Sequence, residues 1–375
     1  MPGLLPNVDP DGLLEYSVVY TDRAINHMSQ RFQGVMRDIS RTLKEVYKAP
    51  HAIVMPGSGT FGMEAVARQF ANDQPCLVIR NGWFSFRWTQ ILDAGKIASR
   101  TTVLKARPEE DSAQAAFAPP PVDEVVAAIQ AEKPAVVFAP HVETASGILL
   151  PDDYMRKVAA AVHAAGGLFV LDCIASGALW VDMQDIGVDV LISAPQKGWS
   201  ASAGCAFVML SALAHDKMQS TQSTSFAADL RKWLQIMQSY EQGAFAYHTT
   251  MPTDAMAVLR DVMRETAEFG FDNARAKQQE LGDRVRALLA EKGFKSVAAK
   301  GYEAPGVVVS YTSDDGIQSS KKFAQAGLQT AAGVPLQCDE RADFKTFRIG
   351  LFGLDKLKNV DRTVENLAKA LQAIG

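Results

Sequence analysis

The segment ISAPQKGWSASAGCAFVML, Ile192 to Leu210, holds one lysine among small, apolar and neutral polar residues. The nearest charged residues in sequence are Asp189 before it and His215 or Asp216 after it. A solvated lysine usually keeps charged company, so Lys197 is placed in surroundings suited to an amine that loses its proton. The run CAFVML follows the lysine loop with too few residues for a crossover helix, so it enters its sheet as an antiparallel strand.

Upstream of this loop one theme recurs from His51 onward: a short apolar run, a polar or glycine-bearing turn, then a helical pattern. HAIVM, CLVI, AVVFAP, GLFVLD and DVLIS are continuously apolar rather than alternating. Strands of that kind are covered by helices on both faces. The expected fold class is therefore α/β, with a mixed but mostly parallel sheet flanked by helices. The Pro/Ala-rich stretch from Ala106 to Glu124 reads as a surface loop before the helix DEVVAAIQAEK. After Pro252 the pattern changes to one long helical stretch near Asp254 to Lys292. GVVVSY, a helix near Lys321 to Ala326, FRIGLF and a final helix ending at Ile374 follow it. This reads as a smaller C-terminal α+β domain.

The 375 residues allow two domains, and 38 basic against 42 acidic side chains leave a net charge of −4. That balance gives no basic stripe of the kind that nucleic acid or an anionic membrane surface demands. No run approaches the roughly 20 apolar residues that span a bilayer, and MPGLLPNVDPDGLLEY lacks the regions of an export signal. Cys76, Cys173, Cys205 and Cys338 lie far apart, without metal-ligand spacing. They suit reduced thiols in a cytoplasm.

MPGSGTFGMEAVARQF follows the strand HAIVM and opens a helix, so the backbone N–H groups around Ser58, Gly59 and Thr60 can converge on an anion. The string also contains Gly57-x-Gly59-x-x-Gly62, a dinucleotide fingerprint. A dinucleotide site needs an acidic residue at the end of the next strand, but CLVI ends in Arg80-Asn81-Gly82. A monophosphate is the better guest. GGLFVLDCIAS puts Asp172 at the C-terminal end of its strand, the ligand-binding edge of such sheets. One strand separates it from Lys197, so both residues share that edge. A lysine that attaches a cofactor covalently, a carboxylate for a pyridine nitrogen and a phosphate cradle together fit pyridoxal 5'-phosphate.

GSGTFGMEA, HVETASG, LDCIAS, SAPQKGW, YHTT and FRIGLFG stand in an order and spacing that resemble class V aminotransferases of fold type I, the alanine–glyoxylate and serine–pyruvate group above all. The resemblance covers nearly the whole chain from about Asp38. It implies that Lys197 and Asp172 are the catalytic pair and that Ser58, Gly59 and Thr60 hold the phosphate with Gln196. It further implies that Thr144 bonds the cofactor's phenolic oxygen. Phe84 falls where that group stacks an aromatic ring on the pyridine, with Trp83 as the competing candidate. Arg348, inside an apolar strand, would grip a substrate carboxylate as a fork rather than form a structural ion pair. FAYHTTMP resembles a segment that reaches into another subunit's site, where Tyr247 and Thr250 would touch the phosphate, so the implied active unit is a homodimer with shared sites. His141 reads as a satisfied buried histidine.

The N-terminus departs from the family pattern, with LLEYSVVYTDRAINHMS where a Gly/Pro-rich stretch is usual. Glu15, Tyr16, Tyr20, Asp22 and Arg23 give this stretch polar reach, and Tyr20 is the residue chosen there as a substrate contact; the plainer alternative is a surface strand and a helix cap, with Asp22 capping RAINHMSQRF. The implied organisation is a segment over residues 1–25 near the site, a large cofactor-binding domain over 26–253, and a connecting helix with a small domain over 254–375. The implied reaction is transamination from serine, alanine or aspartate to glyoxylate or pyruvate. The alternatives are a lyase or cysteine desulfurase of the same fold, with Cys338 as the sulfur acceptor, a non-catalytic cofactor-binding module, or a nicotinamide oxidoreductase.

Overall fold

The computed structural model describes residues 13–374, so of the N-terminal segment 1–25 the first twelve residues lie outside the described residues. The main sheet is built from β1 (His51–Pro56), β2 (Pro75–Arg80), β3 (Arg100–Lys105), β4 (Val136–Pro140), β5 (Leu168–Asp172), β6 (Val190–Ser193) and β7 (Cys205–Leu210). Their order across the sheet is β1-β7-β6-β5-β4-β2-β3. Only β7 runs antiparallel, to both β1 and β6, as the short connection after the lysine loop requires. The parallel strands β6, β5, β4, β2 and β3 pair in sequence across the rest of the sheet.

Strands β4 to β7 are buried along their whole length, which is why their sequences read as unbroken apolar runs. Strand β3, RTTVLK, was not legible in that way. It is the sheet's edge, half-exposed along most of its length, so polar residues are tolerated at the positions where apolar ones would mark a strand. Helices α1 (Gln30–Tyr47), α2 (Gly59–Phe70) and α3 (Trp83–Gly95) pack against the sheet through residues such as Phe32, Ile39, Val66 and Trp88.

Two expectations about helix ends are corrected. Asp22 caps nothing: α1 starts only at Gln30, and Ser29 Oγ accepts the Phe32 N–H at 3.1 Å. The preceding residues are held in turns instead, where Asn26 Oδ1 accepts from the Met28 N–H and Asn26 Nδ2 donates to Glu15. The stretch from Asp254 to Lys292 is two helices, α4 (Thr253–Phe269) and α5 (Phe271–Glu291). Gly270 divides them at φ +91°, a backbone angle that glycine alone adopts cheaply.

The C-terminal part holds an antiparallel sheet of β8 (Val307–Tyr311), β9 (Ala331–Ala332) and β10 (Thr346–Gly350), in the order β8-β10-β9. Leu281, Val285 and Leu289 of α5 pack on Phe347 and Ile349 of β10, joined by Leu367 and Leu371 of α6 (Val360–Ala373). Val307 and Val309 of β8 pack with Val142, Ala145 and Ile148, which follow β4. Those contacts bring Arg348 of β10 to the same edge of the main sheet as Lys197. The Ala106–Glu124 stretch is more than a surface loop: Phe117 is buried, and Ala115 accepts a hydrogen bond from the Tyr311 hydroxyl at 2.6 Å.

The lysine loop itself is tightly seated. Trp199 is fully buried against Tyr47, Trp180 and Phe271, and a Cβ on Gly198 would lie 2.1 Å from the Gly177 carbonyl oxygen. Backbone meets backbone there, so no side chain can yield. Gly198→Ala should therefore destabilise the fold by about 1–3 kcal/mol and shift the lysine loop. Denaturant unfolding checks the first effect and retention of cofactor on gel filtration the second; an unchanged midpoint with full retention would contradict this packing account.

Candidate active site

A cavity of about 240 Å³ opens at the C-terminal edge of the main sheet, and Asp172, Lys197 and Gln196 line it. Asp172 ends β5 in register with Ile192 of β6 and Pro140 of β4, so the sheet itself aims its side chain. Its Oδ1 accepts the Ile174 N–H at 2.9 Å. Burial raises the Asp172 pKa to about 6, against the lowering effects of that hydrogen bond and of Lys197. Lys197 shows the opposite displacement: burial pushes its pKa down, while Asp172 and Glu143 pull it back up. Its flank faces the open cavity and its amine stands 5.8 Å from the Phe84 ring centroid and 5.6 Å from that of Phe352.

The cradle expected for a phosphate coincides with the first turn of α2. Ser58 is its N-cap with no side-chain cap bond, and Ser58, Gly59 and Thr60 all line the cavity. The first N–H groups of a helix have no partner within it, so this turn offers open donors and a positive dipole end to an anion. A Cβ at Gly59 would meet Ile174 Cδ1 at 2.4 Å, which fixes the cradle beside the turn that follows Asp172. Thr144 supplies a second test of fit. Its Oγ1 is buried at the cavity wall without a hydrogen-bond partner, a cost that a ligand oxygen would remove. The donor set, the orphaned hydroxyl and the amine–carboxylate pair fit pyridoxal phosphate.

Of the two aromatic rings, Phe84 lines the cavity, whereas Trp83 packs on Phe86 and is not among the lining residues. Arg348 brings its guanidinium 5.5 Å from the Phe84 centroid. Its Nε donates to the Ala332 carbonyl at 2.8 Å, and among the described residues no carboxylate pairs with it. Tyr247 and Thr250 are joined to each other, Oη to Oγ1 at 3.0 Å, and neither lines this cavity. Tyr20 goes with them: its hydroxyl donates to the Met251 carbonyl at 3.1 Å, so within one chain it is not a wall of the cavity.

His141 is the satisfied core histidine expected. It is buried, its Nδ1 lies 2.7 Å from Ser176 Oγ, and burial lowers its pKa to about 3. Cys338 does not supply the accessible thiol of a desulfurase. It is buried, its Sγ donates to the Arg80 carbonyl, and burial pushes its pKa up to about 12. Arg80, where a dinucleotide site would need an acid, donates to Thr89 Oγ1 and the Gln337 carbonyl.

Sequence reasoning missed two charged neighbours of the cavity. Arg87 lines it, with Nη1 donating to Thr60 Oγ1 at 3.2 Å, and its spacing of three from Phe84 on α3 was the available signal. Glu143 lies fully buried beside Thr144 within HVETASG.

The fold and this edge of the sheet define the class, a fold type I pyridoxal-phosphate enzyme. Residues 12–333 match the model of the family described as Aminotransferase class-V, and the chain belongs to that family. It is a pyridoxal-phosphate-dependent transaminase. The chain is 26% identical over 361 residues to alanine–glyoxylate aminotransferase of Rattus norvegicus, covering 93% of this chain and 83% of that protein. It is 28% identical over 365 residues to 2-aminoethylphosphonate–pyruvate transaminase of Burkholderia ambifaria, covering 94% and 90%. A solved alanine–glyoxylate aminotransferase from Nostoc sp. shares the fold at a TM-score of 0.78 and 22% identity, over 93% of this chain and 89% of that one. Among the described residues no helix is long and apolar enough to cross a membrane.

The raised Asp172 pKa has a measurable consequence in the cofactor-free protein. Between its ordinary value of 3.8 and about 6 the native state keeps a proton that the unfolded chain has released, so stability falls as pH rises. The fall amounts to about 3 kcal/mol when complete. Asp172→Asn cannot ionise and should lack this component, seen as a gain in stability over wild type that grows from about pH 4 to about pH 6. Parallel pH dependences for the two proteins would remove the burial assigned to this carboxyl.

Proposed function

We propose that the enzyme moves an amino group from a small amino acid, such as serine, alanine or aspartate, to glyoxylate or pyruvate. The observation that carries this reading is the unpaired guanidinium of Arg348 on the ring of Phe84, the ring that the Lys197 amine also faces. A cationic fork that shares one aromatic ring with a lysine suits an α-amino acid, whose carboxylate and α-carbon are one bond apart. The volume of about 240 Å³ supports a small donor once a cofactor shares it. Relatives named for alanine, glyoxylate and pyruvate support the same choice.

Bound in this cavity, pyridoxal phosphate supplies an electron sink that acidifies the donor's α-proton. Lys197 Nζ would carry the cofactor at rest and, once the donor's amine has displaced it, would accept the proton from the donor's α-carbon and give it back later in the cycle. Burial makes that possible, because an amine held below its usual pKa can be neutral for part of each turnover. Asp172 would pair with the ring nitrogen; with a pKa of about 6 it is mostly ionised at neutral pH and could hold a positive N–H there. Ser58, Gly59, Thr60 and Gln196 would hold the phosphate, Thr144 the phenolic oxygen, and Phe84 the face of the ring.

The active unit in this reading is a homodimer. Tyr247, 53% exposed, and Thr250 then reach the phosphate of a second copy, with Tyr20 bracing their segment through Met251. Phe245 and Phe226, exposed on the same side of the chain, support a partner surface there. The cofactor-binding domain spans 26–253 and the smaller domain 254–375. Four buried, unpaired cysteines support a reducing, cytoplasmic setting.

A half-reaction screen tests the substrate class: each true donor converts the cofactor's aldehyde form to its amine form, read by absorbance without an acceptor. Conversion by alanine, serine or aspartate is expected, and conversion by none of them would overturn the assignment. Arg348→Lys keeps the charge but loses the fork, and should cost about 1.5–3 kcal/mol of substrate interaction. That predicts a fall of about ten- to a hundredfold in kcat/KM for every donor, with the melting temperature near wild type. A destabilised variant with normal kinetics would make Arg348 structural.

A further inference from the structure

Glu143 is a fully buried carboxylate that pairs with no cation among the described residues, yet it is not idle. Its Oε1 accepts the backbone N–H groups of Phe84 at 3.2 Å and Ala145 at 2.9 Å. Its Oε2 accepts the Ser85 N–H at 2.8 Å and the Ser85 hydroxyl at 2.7 Å. Two of those donors are open amides of the first turn of α3, the turn that carries Phe84. The third amide belongs to Ala145, the residue after Thr144. One side chain thus ties the aromatic wall of the cavity to the strand end that bears Thr144.

The geometry points to Glu143 as a positioning residue of the transaminase: it clamps the start of α3 so that the Phe84 ring faces the cofactor, and holds a fixed negative charge behind the cationic site. This rests on the placement of the cofactor between Phe84 and Lys197 given above. Burying a carboxylate is costly, and the helix N-terminus with four hydrogen bonds is what offsets that cost. The fit is close enough to dictate a neighbour. A Cβ on Gly82 would lie 2.7 Å from Glu143 Cγ and 2.8 Å from Cδ, so the residue before α3 must be glycine for the carboxylate to sit there.

The charge acts across the cavity as well. The groups around the Lys197 amine are Asp172 and Glu143, which favour its protonated form, and Arg348 and Arg87, which oppose it. Glu143 favours the charged form of Arg348 too. Glu143 thus acts on both the Lys197 amine and the Arg348 guanidinium. Without it, two guanidiniums and an amine would share one wall with Asp172 alone to balance them.

Two variants separate the clamp from the charge. Glu143→Gln keeps the shape, removes the charge and turns one acceptor into an N–H₂ facing donors. Gly82→Ala keeps the charge and displaces the carboxylate. Both are loaded with pyridoxal phosphate and read by visible circular dichroism of the bound cofactor, by the pH midpoint of its absorbance, and by melting temperature. Both should lose about half or more of the dichroism, because the stacked ring is no longer held. Only Glu143→Gln should lower the absorbance midpoint, by about one pH unit, since loss of a nearby negative charge disfavours the cationic form. Glu143→Asp, with charge kept and reach shortened, should restore the midpoint but not the dichroism, and serves if Glu143→Gln does not fold. Variants that load cofactor with wild-type dichroism and midpoint, and differ only in melting temperature, would overturn the proposal. Failure of the wild type to load cofactor would instead overturn the site reading on which it rests.

Discussion

Burial acts on the two central groups of this site in opposite senses: it lowers the Lys197 amine and raises the Asp172 carboxyl. Both displacements come from the same cause, the loss of water at the C-terminal edge of a sheet covered on both faces. The chemistry needs this, because an amine that moves protons must be able to lose its own, while the carboxylate must stay charged at neutral pH. Full neutralisation of either by the other would disable it. The protein avoids that by placing Asp172 and Lys197 on adjacent strand ends, with the cofactor's place on the same edge.

Around that pair the fold supplies rigid supports rather than flexible ones. Gly198 lets the lysine loop lie against Gly177, Trp199 locks it into the core, and Gly59 lets α2 touch the turn after Asp172. The glycines of GSGTFG therefore serve close packing as much as ligand approach: a Cβ on Gly62 would come within 2.9 Å of Ala206 on β7. A dinucleotide fingerprint and a phosphate cradle look alike in sequence because both demand a helix that starts hard against a sheet.

Most of the central sheet and its key pair were legible because their signals are local. Continuous apolar runs marked buried strands, and Lys197 stood out by the neutrality of its surroundings. What was hidden depended on partners distant in sequence. Glu143 reads as an ordinary polar residue until α3, nearly 60 residues earlier, is folded onto it. Strand β3 was obscured by its edge position, and α1 starts after Ser29 rather than after Asp22, since the residues between are held in turns in which Asn26 bonds Met28 and Glu15. Tyr20, taken from the sequence as a substrate contact, bonds the Met251 carbonyl and is not among the residues that line the cavity of its own chain.

The account turns on one covalent claim, that the cofactor is carried by the amine of Lys197. Borohydride reduction of the loaded enzyme makes that attachment permanent, and proteolysis with mass spectrometry locates it. The account predicts a single labelled lysine, in the peptide that contains SAPQKGW. A label on any other lysine, or a reduced protein that releases all its cofactor on denaturation, would contradict it.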